Sequence, residues 1–139
     1  MSADVKPRLV RAFSDTPVDL TAAGDAGTLI FPEPAQIIKI GVVLTTASAT
    51  GTPVFTVDKR VLPESDTGRV AAAAGTLTKA ATALSPGNVL VKDVSAGIAT
   101  GDQLVFNVGT AATGVLDGIP FVVYYEMGSG LESDTVVSA

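Results

Sequence analysis

Residues 119–127 read Ile-Pro-Phe-Val-Val-Tyr-Tyr-Glu-Met, between Gly118 and Gly128. The stretch holds both tyrosines and one of the five phenylalanines of a chain without tryptophan. It is β-branched and aromatic, and long enough for a strand. Strand alternation puts Phe121, Val123, Tyr125 and Met127 on one face and Val122, Tyr124 and Glu126 on the other. The reading is a central strand with Phe121, Val123 and Tyr125 turned to the core. Pro120 has no N–H for a ladder and is expected at the strand's first position.

Working outward, short apolar runs alternate with turn residues and no long helix intervenes. Residues 9–13 suffice for one short strand between Pro7 and Pro17, either an edge strand or an N-terminal arm reaching a neighbour. Residues 28–31 form a strand stopped by Pro32-Glu33-Pro34. Residues 35–46 are the longest candidate, with Ile38, Ile40, Val42 and Leu44 on one face and Ile37, Lys39, Gly41 and Val43 on the other. In 54–61, Phe55 and Val57 point inward while Thr56, Asp58 and Arg60 point to solvent, with Asp58 beside Arg60 as a surface pair.

Residues 62–68 form a loop, and 69–84 is ambiguous. Ala71–Ala74 is helix material by propensity, Gly75 interrupts it, and the alternating threonines that follow suit a half-exposed strand. Two short strands, or a strand and a loop, are expected there, with one short helix near 69–84 as the alternative. Ser85-Pro86-Gly87-Asn88 is a turn, and 89–94 and 102–108 are strands, the second with Leu104, Phe106 and Val108 inward. Gly101-Asp102 is a turn device, and 109–118 reads as a loop whose Val115 and Leu116 cover one end of the core. About seven to nine short strands without βαβ-length helices point to an all-β fold, an antiparallel β-sandwich. The single sandwich domain spans 21–128, preceded by the arm or edge strand of 1–20 and followed by a Gly/Ser/Asp-rich tail at 129–139.

Composition narrows the function. The 139 residues suit one core. Charged residues are only 17%, against about 25% in an ordinary soluble domain, which points to a surface covered by a partner or by copies of the chain. No apolar run approaches the ~20 residues of a membrane-spanning helix, and the first residues lead into charge, so neither a signal peptide nor a membrane partner is expected. The net charge of −5 argues against nucleic acid, the only basic cluster being Lys6, Arg8 and Arg11.

Histidine and cysteine are both absent, which removes Ser-His-Asp and Cys-His catalysis and His/Cys zinc sites. No SxxK pattern stands in for them, and Gly24-Asp25-Ala26-Gly27 fits no phosphate-binding loop. A glycosidase would need paired acids with sugar-stacking aromatics, and aromatics are 5% of the chain. Asp15 with Asp19, or Glu64 with Asp66, could offer oxygens to calcium, but neither has a calcium-loop spacing and solvated loop acids are the expectation. The chain is thus expected to be no enzyme and to hold no metal or cofactor. The residues singled out for partner contact are Lys6, Arg8, Leu9, Arg11 and Phe13 of the arm, and Tyr124, which is either an interface anchor or a tyrosine with its hydroxyl in water.

Residues 89–108, VLVKDVSAGIATGDQLVFNV, followed by IPFVVYY at 119–125, resemble strands late in jelly-roll sandwiches, among them carbohydrate-binding modules and small structural proteins of tailed bacteriophages. The composition, rich in Ala, Gly, Thr and Val, acidic, and without Cys, His or Trp, resembles that of phage capsid decoration (cement) proteins. The resemblance implies a jelly roll on the capsid exterior of a virion, a homo-oligomer, often a trimer, that bridges subunits of the major capsid protein and stabilises the shell. It transfers no individual residue. The alternative is a carbohydrate-binding module or a receptor-binding fibre or tail domain, which would need exposed aromatics.

Overall fold

The computed structural model describes residues 7–60 and 69–127. Lys6, the loop at 62–68 and the tail at 129–139 lie outside the described residues. The strands are β1 (Leu9–Ala12), β2 (Val18–Asp19), β3 (Gly24–Ile30), β4 (Ala35–Thr50), β5 (Val54–Arg60), β6 (Arg69–Thr78), β7 (Val89–Ile98), β8 (Gln103–Thr110) and β9 (Thr113–Glu126). They form two antiparallel sheets. The first runs β1-β9-β4-β7, with β2 also on β9, and the second runs β3-β8-β5-β6.

The pairing is nested. β1 and β2 lie on β9, β3 on β8, β4 on β7 and β5 on β6. With β1 and β2 counted as one interrupted strand, this is the eight-stranded jelly roll, a sandwich that winds a long hairpin into two Greek keys. The 119–127 stretch is central, as expected, because β9 sits between β1/β2 and β4.

The core fills the space between the sheets. Phe106 stands between Phe13 and Phe55, at ring-centroid distances of 5.8 and 5.6 Å. Ile40, Val42, Leu44, Leu104, Leu116 and Val122 are buried around them. Phe55, Val57, Leu104, Phe106 and Val108 face inward as their alternation predicts, and Leu116 is buried at one end. The two turns read from sequence also form. At 85–88 the Ser85 N–H bonds the Asn88 side chain at 2.7 Å, with Gly87 at φ 88. At 101–102 Gly101 takes φ 84, and the buried Asp102 carboxylate accepts from the Ala99 N–H at 3.1 Å.

Several expectations are corrected. In β9 the inward residues are Val122 and Tyr124, while Phe121, Val123 and Tyr125 lie half-buried on the outside. The alternation was right and the choice of face was not, because both faces are apolar. Residues 113–118 belong to β9, so the expected loop shrinks to the two-residue connection at 111–112. Pro120 therefore lies inside the strand. Its carbonyl accepts from the Phe13 N–H at 2.8 Å, and its missing N–H points the same way, into the break between β1 and β2 where no ladder partner is needed.

In β4 the register shifts between Ile37 and Lys39, so Ile37 and Ile40 both face inward and Ile38 leaves the face it was assigned to. The 69–84 segment is one long strand followed by a 3-10 turn at Ala81–Ala83, the only trace of the helix alternative. Alanine's helix propensity is overruled there by pairing with β5 and by a carboxylate on that strand. Asp58 has the outward parity expected but is 3% exposed. It accepts from Arg69 Nε and Nη2 at 2.9 and 2.6 Å and from the Ala72 N–H at 2.6 Å. Arg69, not Arg60, is its partner.

Candidate functional site

The outer face of the first sheet is the part of the surface that its chemistry does not suit to water. Register places its residues in levels that cross three or all four of the strands β1, β9, β4 and β7. Phe121 pairs with Ala12 on β1 and with Gly41 on β4, which pairs with Val91 on β7. Ile119 pairs with Val43, which pairs with Val89. Val123 pairs with Val10 and with Lys39, which pairs with Asp93. Val10, Val89 and Val91 are 65%, 53% and 51% exposed, so these valines are open and not tucked away, while Phe121 and Ile119 are half-buried. An antiparallel sheet with one solvated face normally alternates apolar and polar residues, while a strand apolar on both faces is normally covered on both.

The relief of the face follows from Gly41. A Cβ at that position would stand 2.5 Å from Phe121 Cζ and 2.6 Å from the Leu90 carbonyl oxygen. The missing side chain lets the tip of the Phe121 ring, Cζ and Cε1, reach over Gly41 on β4. Beside it a groove of about 310 Å³ opens, lined by Val10, Ala12, Val43, Ile119 and Phe121.

Charge on this face stands at its two ends, Asp117 of β9 and its register partner Asp19 of β2 at one and Lys39 with Asp93 at the other. Lys39 donates to Asp93 across β4 and β7. This hydrogen bond, then the Lys39 charge, and at longer range Arg8, hold the Asp93 carboxyl below the usual carboxylate value. Gln36 donates to Ser95 at 3.0 Å further along. The outer face of the second sheet is more polar, with Ile30, 54% exposed, as an apolar exception. It carries Thr28, Thr56, Gln103 and Asn107, and an ion cluster in which Arg69 bonds both oxygens of Asp25, at 2.9 and 2.7 Å, as well as Asp58. Those carboxylates keep the Arg69 guanidinium protonated, the Asp25 hydrogen bonds being the largest cause.

Of the residues singled out from sequence, only Arg8 is exposed among those described. Leu9 packs on the core. Arg11 turns toward the second sheet, donating to the Ile30 carbonyl at 2.7 Å with its guanidinium 5.0 Å from the Phe31 ring centroid. Phe13 is 7% exposed and belongs to the core. Tyr124 is 8% exposed and meets Phe31 edge-on at 5.2 Å, so it is a core residue and no interface anchor. These four side chains close the edge where β1 faces the second sheet. The residues the sequence reading passed over are Val10, Val43, Val89, Val91, Ile119 and Phe121. Their signal was present in a central strand that is apolar on both faces.

The acids that could offer oxygens to calcium are placed as follows. Asp19 accepts from the Thr21 N–H at 2.8 Å and from its hydroxyl, bonds that lower its pKa and make it a turn residue. Glu64 and Asp66 lie outside the described residues. Among the described residues no group of three or more acidic side chains is placed to hold a metal ion, and no helix is long and apolar enough to cross a membrane.

No family model matches the chain, and no curated protein matches it. A solved structure titled "Structure of infectious bursal disease virus Gx strain" aligns with 91% of this chain at 13% identity and a TM-score of 0.42. The alignment covers 33% of that chain, so the present protein spans about a third of its length. At that score the likeness carries no functional weight, and the function is argued from the surface.

Proposed function

We propose that the protein is a non-enzymatic structural component of a virion, a decoration or cement protein that sits on the outside of a capsid and stabilises the assembled shell. The observation that carries this reading is the apolar outer face of the first sheet, spread over four strands. A subunit that spends its life in an assembly can keep such a face, whereas a free monomer exposes it to non-specific association. The jelly-roll topology is compatible but does not decide, since lectins and cupins share it.

The partners in this reading are the major capsid protein and further copies of the chain, and the place is the capsid exterior. The mechanism is passive. A protein that binds the closed shell and not its separated subunits stabilises the shell by mass action, about 2.7 kcal/mol per site at a free concentration of 100 times Kd.

The test is co-sedimentation with assembled capsids of the virus that carries the chain, followed by heating of decorated and bare shells. Saturable binding and a higher opening temperature are expected. No binding, together with micromolar binding on a glycan array, would replace this reading with carbohydrate recognition. Removing residues 1–14 is unsuitable as a test of contact, because it deletes β1 and the core residue Phe13.

A further inference from the structure

We infer that the outer face of the first sheet is covered by the same face of a second copy, the two sheets stacked about a two-fold axis that runs along the strands between β9 and β4. This rests on the reading that the face is buried in an assembly, and it names what buries it.

The face is self-complementary in shape. Its projections on the β7 flank are Val89 and Val91, 53% and 51% exposed, while Val10, 65% exposed, rises at the rim of the hollow on the β1 flank. This hollow lies between β1, β9 and β4. Projection and hollow stand at the same levels along the strands, since Val91 is level with Gly41, Phe121 and Ala12, and Val89 with Val43 and Ile119. A two-fold axis parallel to the strands exchanges β1 with β7 and keeps each level. It therefore sets the valines of each copy over the groove of the other. The strands of the two sheets then run in nearly the same direction, the aligned mode of sheet packing.

Charge fits the same axis at the Lys39–Asp93 end of the face. The whole chain carries −5, so most pairings of two copies bring like charges together. On this face Lys39, Asp93 and Arg8 gather at one end, and Asp117 with its register partner Asp19 stands at the other. Asp93 is level with Val10, and Arg8 lies two residues away on the same strand line, about 7 Å. The two-fold axis carries each Asp93 to the partner's β1 flank, within reach of the partner's Arg8.

Size sets the strength. Four strands about 4.8 Å apart and some seven residues long give a face of roughly 400 Å² in projection. Two copies bury about twice that, roughly 800 Å² before side-chain relief is counted, which is below the ~1,200 Å² of stable specific interfaces and in the range of weak ones. The dimer is accordingly expected in the micromolar range.

Light scattering or sedimentation on the full chain, from about 1 to 500 µM, reads this directly. The expected result is a rise from one chain, 14.0 kDa, to two. Val91→Asp, on an exposed position of an edge strand, is expected to raise the dimer dissociation constant at least about tenfold. Thr56→Asp, on the second sheet, should leave it unchanged. Circular dichroism checks that both variants fold. A single-chain mass throughout, a three-copy mass, or a dimer equally tight in Val91→Asp overturns the inference. Shell binding by a protein that never dimerises would sink this contact alone. A dimer that binds no shell would sink the virion reading alone.

Discussion

Replacing Asp58 by alanine tests whether the second sheet is held by its ion cluster. The carboxylate is 3% exposed and receives three hydrogen bonds, two from Arg69 and one from the Ala72 N–H. Removal leaves the Ala72 N–H without its acceptor, and an unsatisfied buried donor costs about 1–3 kcal/mol. Arg69 is less exposed to loss. Breaking a fully buried pair costs about 3–5 kcal/mol, but the Arg69 side chain is 20% exposed and keeps its two bonds to Asp25. One effect runs the other way. Ala72 sits at φ 57, a left-handed conformation that costs a non-glycine residue about 1–2 kcal/mol, and freeing the β6 bulge lets it relax. The net expectation for Asp58→Ala is a loss of about 2 kcal/mol, or about 6–10 °C in Tm for a domain of this size. Urea and thermal denaturation at neutral pH measure it. Ala72→Gly keeps the acceptor and removes the strain, so it should gain about 0.5–1 kcal/mol. An Asp58→Ala variant within about 0.5 kcal/mol of the parent would refute the reasoning and reduce the cluster to an ordinary surface feature.

Gly41→Ala should cost about 1–3 kcal/mol by overpacking. The Phe121 ring can swing aside, but the Leu90 carbonyl, 2.6 Å from the new Cβ, is backbone; an unchanged urea midpoint would contradict this. Deleting residues 1–14 should unfold or strongly destabilise the chain, since losing Phe13 from contact with Phe106 alone is worth about 3–5 kcal/mol; a cooperative melt near the parent Tm would show that β1 is dispensable. Acid should weaken the fold through Asp19 and Asp93, both held below their ordinary value of 3.8. Depressed folded-state pKa values mean that the unfolded chain takes up protons first on acidification. Their stabilisation is therefore complete above about pH 4 and lost as pH falls through the lower folded values. Urea midpoints between about pH 2.5 and 6 follow this, and Lys39→Met should flatten the Asp93 share; a parent profile that is level across that range would refute the link.

What the sequence made legible was whatever is encoded locally. Pro32 and Pro34, the 85–88 turn and Gly101-Asp102 punctuate the chain by backbone chemistry that needs no partner, and between them the strands and the sandwich follow. The alanines of β6 were ambiguous because the group that decides them, the Asp58 carboxylate, lies 14 residues upstream of Ala72 and its closeness exists only after folding. Asp58 itself was read as solvated for the same reason, since its cover is Arg69 from the next strand.

The inverted face of β9 has a different cause. Period-two alternation says which residues share a face and not which face is inside. That choice is normally made by polarity, and here Ile119, Phe121 and Val123 are as apolar as Val122 and Tyr124. A strand with two apolar faces calls for two covers. One is the second sheet of the same chain, which the structure supplies. In the proposed reading the other is a second copy, so the position where periodicity could not choose is also the position where that copy would sit. The order of covers follows from the aromatics. Tyr124 points inward, where it meets Phe31 edge-on, whereas the tip of the Phe121 ring reaches over Gly41, and in the proposed reading the absence of a side chain at that glycine keeps the outer face low enough for a second sheet to approach.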